Sequence, residues 1–188
     1  MTRLTLLTGG VRSGKSARAL SLAGERAKTR PVLFVATAQA FDDEMRDRIA
    51  VHKAERASDW ETLEEPIDVA ERLRVQLAQN GDRYAVVVID CLTLWVSNLL
   101  LSLPEDADAE QIIAGGTRDL LAVLAAATST RANAIIVTNE VGLGVVPPTT
   151  LGRRYRDVLG RVNQLVAAAA DEVIVLVSGI DVVIKPRG

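Results

Sequence analysis

The chain has 188 residues, 48% of them hydrophobic and 24% charged, with a formal net charge of -2. That length suits one domain able to bury its own core, and the near-neutral balance argues against a nucleic acid or a membrane surface as a general partner. Only 3% of the residues are aromatic, so Leu, Val, Ile and Ala must build the core. Cys91 is the one cysteine, which excludes an intramolecular disulfide and a cysteine metal cluster and fits a reducing compartment. The N-terminus passes straight into a strand pattern without a secretory h-region. No apolar run approaches the roughly 20 residues of a membrane span. The expectation is a cytoplasmic protein.

In chain order, Leu4 to Thr8 reads as a buried strand that stops at Gly9-Gly10, followed by helical spacing from Lys15 to about Lys28. Pro31 opens a strand over Val32 to Ala36, and a polar turn covers Thr37 to Phe41. Asp42 and Asp43 suit the N-terminus of a helix that runs to about Arg56. Trp60 to Leu63 is a short extended piece, and Pro66 marks the start of a helix carrying Ile67 to Gln79. Asn80-Gly81-Asp82 is a stop and turn. Ala85 to Ile89, Ala134 to Val137 and Val173 to Val177 are apolar throughout, as parallel strands covered on both faces are. Helical stretches lie at about Leu94 to Leu101, Glu110 to Thr128 and Gly152 to Ala170, with an acidic, mobile loop expected from Ser102 to Ala109. Val182 to Ile184 adds an edge strand. This alternation predicts one α/β domain, a mostly parallel sheet flanked by helices.

Gly9-Gly10-Val11-Arg12-Ser13-Gly14-Lys15-Ser16 matches the P-loop pattern G-x-x-x-x-G-K-[ST] in full and lies between a predicted strand and a predicted helix. Glycines let successive backbone N–H groups converge on phosphate oxygens, and the helix that follows adds its positive end. Lys15 can reach the β- and γ-phosphates, and the Ser16 hydroxyl can ligate Mg²⁺. Asp90 emerges where Val86-Val87-Val88-Ile89 stops, the position of a second, carboxylate contact to the metal.

His52 is the lone histidine. On a helix from Asp42 to Arg56, Arg48, His52 and Arg56 share one face. Such a cationic stripe would draw in a triphosphate and favour a neutral imidazole, which is a competent nucleophile towards phosphorus. Spacing alone leaves an incidental histidine on a solvated face as the alternative. The chain would then be a simple small-molecule kinase, or a nucleotide-gated binding module.

A resemblance covers nearly the whole chain. Thr8 to Ser16, Ala36-Thr37-Ala38, Asp42-Asp43-Glu44-Met45, Arg48 to Lys53, Trp60 to Glu64, Asp90-Cys91-Leu92-Thr93, Thr138 to Pro147 and Arg156 to Gln164 together carry it. The sequence resembles the bifunctional adenosylcobinamide kinase/adenosylcobinamide-phosphate guanylyltransferases of cobalamin biosynthesis. The resemblance implies a RecA-like P-loop NTPase fold and two reactions. ATP or GTP phosphorylates adenosylcobinamide. GTP and adenosylcobinamide phosphate then give adenosylcobinamide-GDP and pyrophosphate through a guanylylated histidine, which falls on His52. It further implies a nucleotide site formed by Thr8, Gly9, Gly10, Val11, Arg12, Ser13, Gly14, Lys15, Ser16, Ala36, Thr37, Ala38, Lys53, Ala54, Glu55, Arg56, Glu64 and Asp90. Assembly as a homotrimer is implied as well. Arg56-Ala57 departs from the Arg-Pro of many relatives.

Overall fold

Strand β1 (Leu4–Gly9) sits deep in the sheet: its first four residues are buried, and the Thr5 hydroxyl accepts from Arg26. A computed structural model describes residues 3–40, 42–80, 83–129 and 132–186, and the side chains of Arg48, Thr128 and Ser129 lie outside that description. The ends of two expected turns, at Phe41 and at Gly81-Asp82, also lie outside it. Among the described residues, seven strands and six helices alternate. The further strands are β2 (Val32–Ala36), β3 (Glu61–Glu64), β4 (Val86–Asp90), β5 (Asn133–Val137), β6 (Glu172–Val177) and β7 (Ile180–Lys185). The helices are α1 (Lys15–Ala27), α2 (Asp43–Ala54), α3 (Val69–Asn80), α4 (Leu92–Ser102), α5 (Ala109–Ser129) and α6 (Thr150–Ala169).

The strands form one sheet in the order β3-β2-β4-β5-β1-β6-β7. Every pairing is parallel except β6 with β7. The expected edge strand is therefore present but antiparallel. Ser178 and Gly179, with φ of 52° and 84°, make the two-residue turn that reverses the chain. Because the other strands run one way, β1, β2, β4 and β5 end on the same rim, which is where open α/β sheets bind ligands.

Both faces are covered, and the strands alternate between them with period two. Leu7, Phe34, Val86, Val88, Ile135 and Val137 pack beneath α1 with Leu22 and Ala23. Leu6, Leu33, Val35, Val87, Ile89 and Ile136 face the other way, into a cluster shared with α3 to α6. Aliphatic residues dominate both clusters, as the composition requires. Helix α2 differs from the rest: none of its described side chains is buried. No helix among the described residues is long and apolar enough to cross a membrane.

Three boundaries depart from the sequence reading for local reasons. Helix α3 begins at Val69 rather than near Pro66. The Glu65 carboxylate accepts from the N–H groups of Ile67 and Asp68, while the Pro66 and Ile67 carbonyls accept from Asn98 and Trp95, so side chains satisfy this stretch in place of a helical turn. Helix α6 begins two residues earlier than expected, at Thr150, because the Thr149 hydroxyl caps it by accepting from Gly152 N. The acidic connection after α4 is fastened, not loose. Arg154 of α6 donates to the carbonyls of Glu105 and Ala107, and Ala109 is buried.

Candidate active site

Two glycines shape the P-loop. Gly9 has φ of 145°, and a Cβ there would lie 2.4 Å from the Leu176 carbonyl oxygen. Gly14, at φ 95°, closes the turn into α1. Arg12 also takes a left-handed conformation, at φ 57°. Two neighbours brace the loop: Gly179 N, in the β6–β7 turn, donates to Ser13 O at 3.0 Å, and Glu140 N donates to Gly9 O at 3.1 Å. The Lys15 ammonium folds into the cradle, donating to Gly10 O at 2.6 Å and to Ser13 Oγ at 3.3 Å. Both Lys15 and Ser13 are buried.

Strand β1 is separated from β4 by β5, yet the parallel rim brings Asp90 to the cradle. The Ser16 hydroxyl hydrogen-bonds its carboxylate. Burial pushes the Asp90 carboxyl above its ordinary range, opposed by that hydrogen bond and then by attraction from His52, Arg56 and Lys15. Burial likewise lowers the Lys15 ammonium, against attraction from its neighbours. The Cys91 thiol is pushed up to about 12, mainly by burial, and stays protonated at neutral pH. The thiol is therefore no anionic partner for Lys15.

Thr37 holds this rim together. Its N–H donates to Asp90 O at 3.2 Å. Its hydroxyl accepts from Cys91 N at 2.9 Å and donates to Cys91 O at 2.7 Å, across from β2 to β4. Thr37 is fully buried. Its side chain is therefore spent on fixing the backbone that carries Asp90, while Ala36 and Ala38 keep some exposure beside it.

The cationic stripe expected on α2 is not what forms. The helix ends at Ala54, with Glu55 as its C-cap, so Arg56 leaves it and turns inward. Its guanidinium lies 3.8 Å from the centroid of the Phe34 ring, and Nη1 donates to Thr62 Oγ1 at 3.2 Å. Arg56 Nε is buried and lacks a hydrogen-bond partner among the described residues. The charged neighbour of His52 is a carboxylate: Nδ1 lies 3.3 Å from Glu55 Oε2, with both side chains about half exposed. Lys53 pairs with Glu64 across a 3.1 Å gap at the outer edge.

The family model for cobinamide kinase / cobinamide phosphate guanyltransferase matches residues 5–184. The chain belongs to this family. It is 40% identical to the bifunctional adenosylcobalamin biosynthesis protein CobU of Escherichia coli, covering 97% of this chain and 99% of that one. Protein CobP of Pseudomonas aeruginosa, named for the same bifunctional role, is 42% identical over 96% of each chain. Among solved structures, flagellar accessory protein FlaH from Methanocaldococcus jannaschii superposes with a TM-score of 0.58. That match covers 98% of this chain and 79% of FlaH at 14% identity, so it speaks for the fold alone. As a cobinamide kinase and guanylyltransferase, the chain has the P-loop α/β architecture that its motif predicts.

Several supports of this kinase and transferase site carry no sequence signal. Asn98 donates to Thr37 O at 2.8 Å and to Pro66 O at 3.2 Å, from the buried side of α4. Thr93 Oγ1 accepts from Asn139 N, and Asn163 Nδ2 donates to Asn139 O. Glu140 accepts from Gly142 N at 2.6 Å, which gives its carboxylate a structural task. Arg153 donates to the carbonyls of Pro147 and Pro148. Such contacts join residues far apart in sequence and follow only from the fold.

Proposed function

We propose that one P-loop serves both reactions of this family and that GMP passes through a covalent bond to His52. The observation that carries this reading is electrostatic: Lys15 of the cradle and His52 and Arg56 of the segment after β2 all favour the charged form of Asp90, as does the Ser16 side chain. A triphosphate held by the backbone N–H groups of Gly9 to Ser16 would lie between the lysine and the only histidine. The orphaned Arg56 Nε supports the same picture, since a buried guanidinium donor without a partner suits a site built for an anion.

The donor set suits Mg²⁺. Ser16 offers a hydroxyl and Asp90 a carboxylate, and no cluster of three His, Cys, Asp or Glu side chains that could hold a metal occurs among the described residues. Most ligands would then be phosphate and water oxygens, the usual manner of binding Mg²⁺. Bound there, the ion would neutralise charge on the β- and γ-phosphates.

In the kinase step, Lys15 and the loop hold ATP or GTP while the aminopropanol hydroxyl of adenosylcobinamide bonds to the γ-phosphorus; the bond from that phosphorus to the β-phosphate oxygen breaks, ADP or GDP leaves, and the hydroxyl proton passes to solvent. In the transferase step, Glu55, 3.3 Å from His52 Nδ1, would accept the proton on that nitrogen and leave the Nε2 lone pair free. Nε2 bonds to the α-phosphorus of GTP as the bond to the β-phosphate oxygen breaks, releasing pyrophosphate. An oxygen of adenosylcobinamide phosphate then takes the GMP, breaking the N–P bond and restoring the neutral imidazole. Arg56, Lys53, Ala54 and Glu64 line the nucleoside side, and Ala36, Thr37 and Ala38 shape the floor. The chain works as a single domain in the cytoplasm and assembles as a homotrimer.

The test is retention of label. Protein incubated with Mg²⁺ and GTP labelled at the α-phosphate, then denatured, should keep an acid-labile, alkali-stable label that His52→Ala abolishes. Normal adenosylcobinamide-GDP formation by His52→Ala would rule out the covalent route.

A further inference from the structure

The acceptor in both steps is a corrinoid, a broad macrocycle with methyl-bearing faces and a rim of carboxamides. Its aminopropanol arm must reach the phosphates over Lys15, so its docking surface must adjoin the P-loop and offer apolar area. Phe34, Tyr84 and Trp95 are buried in the core and offer no stacking face.

The connection from β5 to α6 does supply it. It leaves the cradle at once, where Glu140 N donates to Gly9 O. It is fastened at both ends: Glu140 Oε1 accepts from Gly142 N, and Arg153 Nη1 donates to Pro147 O at 3.1 Å and Pro148 O at 2.9 Å. A Cβ at Gly152 would lie 2.9 Å from Pro147, so the prolines press directly on the start of α6. Between these anchors Leu143 is 92% exposed, Val145 95% and Val146 58%. Val11, on the P-loop turn itself, is 74% exposed. Bulky aliphatic side chains kept in water on a loop fixed at both ends are a surface awaiting a ligand.

We infer that Leu143, Val145 and Val146, with Val11, form the surface on which the corrinoid macrocycle lies while its aminopropanol arm runs to the phosphates. This rests on the reading that both reactions use the P-loop. A second copy of the chain is the competing occupant of the same surface, and the experiment separates the two.

The double variant L143S/V145S removes apolar area without touching the core, the cradle or His52. In the full-length protein the KM for adenosylcobinamide and for its phosphate should rise about tenfold or more, with kcat changed less than about threefold. Leu143→Ala should fall between wild type and the double variant. Labelling of His52 by GTP needs no corrinoid, and it should proceed at the wild-type rate, as should the sedimenting mass stay unchanged. An unaltered corrinoid KM would overturn the inference. A drop in mass would also overturn it, by assigning the loop to a subunit contact. Failure of wild-type protein to take the label would instead strike the covalent reading and leave the corrinoid KM comparison intact.

Discussion

The guanidinium of Arg56 is stacked on Phe34, 3.8 Å from the ring centroid, with Thr62 Oγ1 fixing one of its nitrogens. Residues from two neighbouring strands thus hold in place a cation that lies beyond the end of α2. Burial lowers the affinity of Arg56 for its proton, and Asp90 and Glu64 oppose that effect. The group stays charged, because the ordinary guanidinium value is so high. A half-buried, stacked guanidinium has lost much of its freedom before any nucleotide arrives, so little ordering remains to oppose binding.

Phe34→Leu should therefore weaken GTP use without removing any charge. Cation–π contacts contribute about 0.5–2 kcal/mol, which corresponds to roughly a 2- to 30-fold rise in the GTP KM for His52 labelling. Arg56→Lys should do at least as much harm, since an ammonium cannot both cover the ring and bond Thr62. Steady-state labelling against GTP concentration measures both variants, and an unchanged KM in each would remove Arg56 from the nucleotide site.

Glu55, the C-cap of α2, has a role not expected from its position. Its carboxylate lies 3.3 Å from His52 Nδ1. The pair is half exposed, so its contribution is modest, about 0.2–1 kcal/mol. Glu55→Gln should slow His52 labelling by up to about fivefold at unchanged GTP KM. A change in KM alone would make Glu55 a nucleotide contact and not a positioning residue.

Asp90→Asn separates stability from function. Burial raises the folded-state carboxyl above its ordinary value. In the unfolded chain the group titrates near 3.9, so above that pH the unfolded state releases a proton that the folded state retains. The stability from the protonated group is fully present below the ordinary value and is lost as pH rises through the raised one. Without nucleotide, wild type should lose melting temperature against Asp90→Asn from about pH 4 upward, and the variant should melt higher at neutral pH. GMP transfer by the variant should fall on the order of a hundredfold. A variant that melts lower at neutral pH would mean that the carboxylate stabilises the empty site.

The sequence showed the sheet and the cradle well, and it showed the segment after β2 poorly. β4 and β5 are apolar runs whose burial on both faces leaves one secondary structure open to them, and the spacing around Gly14, Lys15 and Ser16 is set by phosphate geometry. Arg56 was misplaced because helical spacing continues past Ala54, while the stacking on Phe34 that pulls it off the helix joins residues 22 apart in sequence. The same holds for Arg154, whose hold on the Glu105 and Ala107 carbonyls turns an acidic, seemingly loose connection into a fixed one. Local composition reports solvent preference. It does not report which distant donor will find a carbonyl.

Thr37 tests whether the backbone beneath Asp90 matters for catalysis. Its hydroxyl serves both Cys91 N and Cys91 O from a fully buried position. Thr37→Val keeps the shape and strands Cys91 N, while Cys91 O keeps the Trp95 N–H, at a cost of about 1–3 kcal/mol. For a chain of this size that lowers the melting temperature by roughly 2–10 °C. If the strap also sets the position of the Asp90 carboxylate, the KM for Mg²⁺-GTP should rise together with the loss of stability. Thr37→Ser supplies the control: it retains the hydroxyl and gives up a methyl, so it should restore the nucleotide KM even where packing loss keeps the melting temperature low. Equal KM values for the Val and Ser variants would show that the hydroxyl stabilises the rim without aiming the carboxylate.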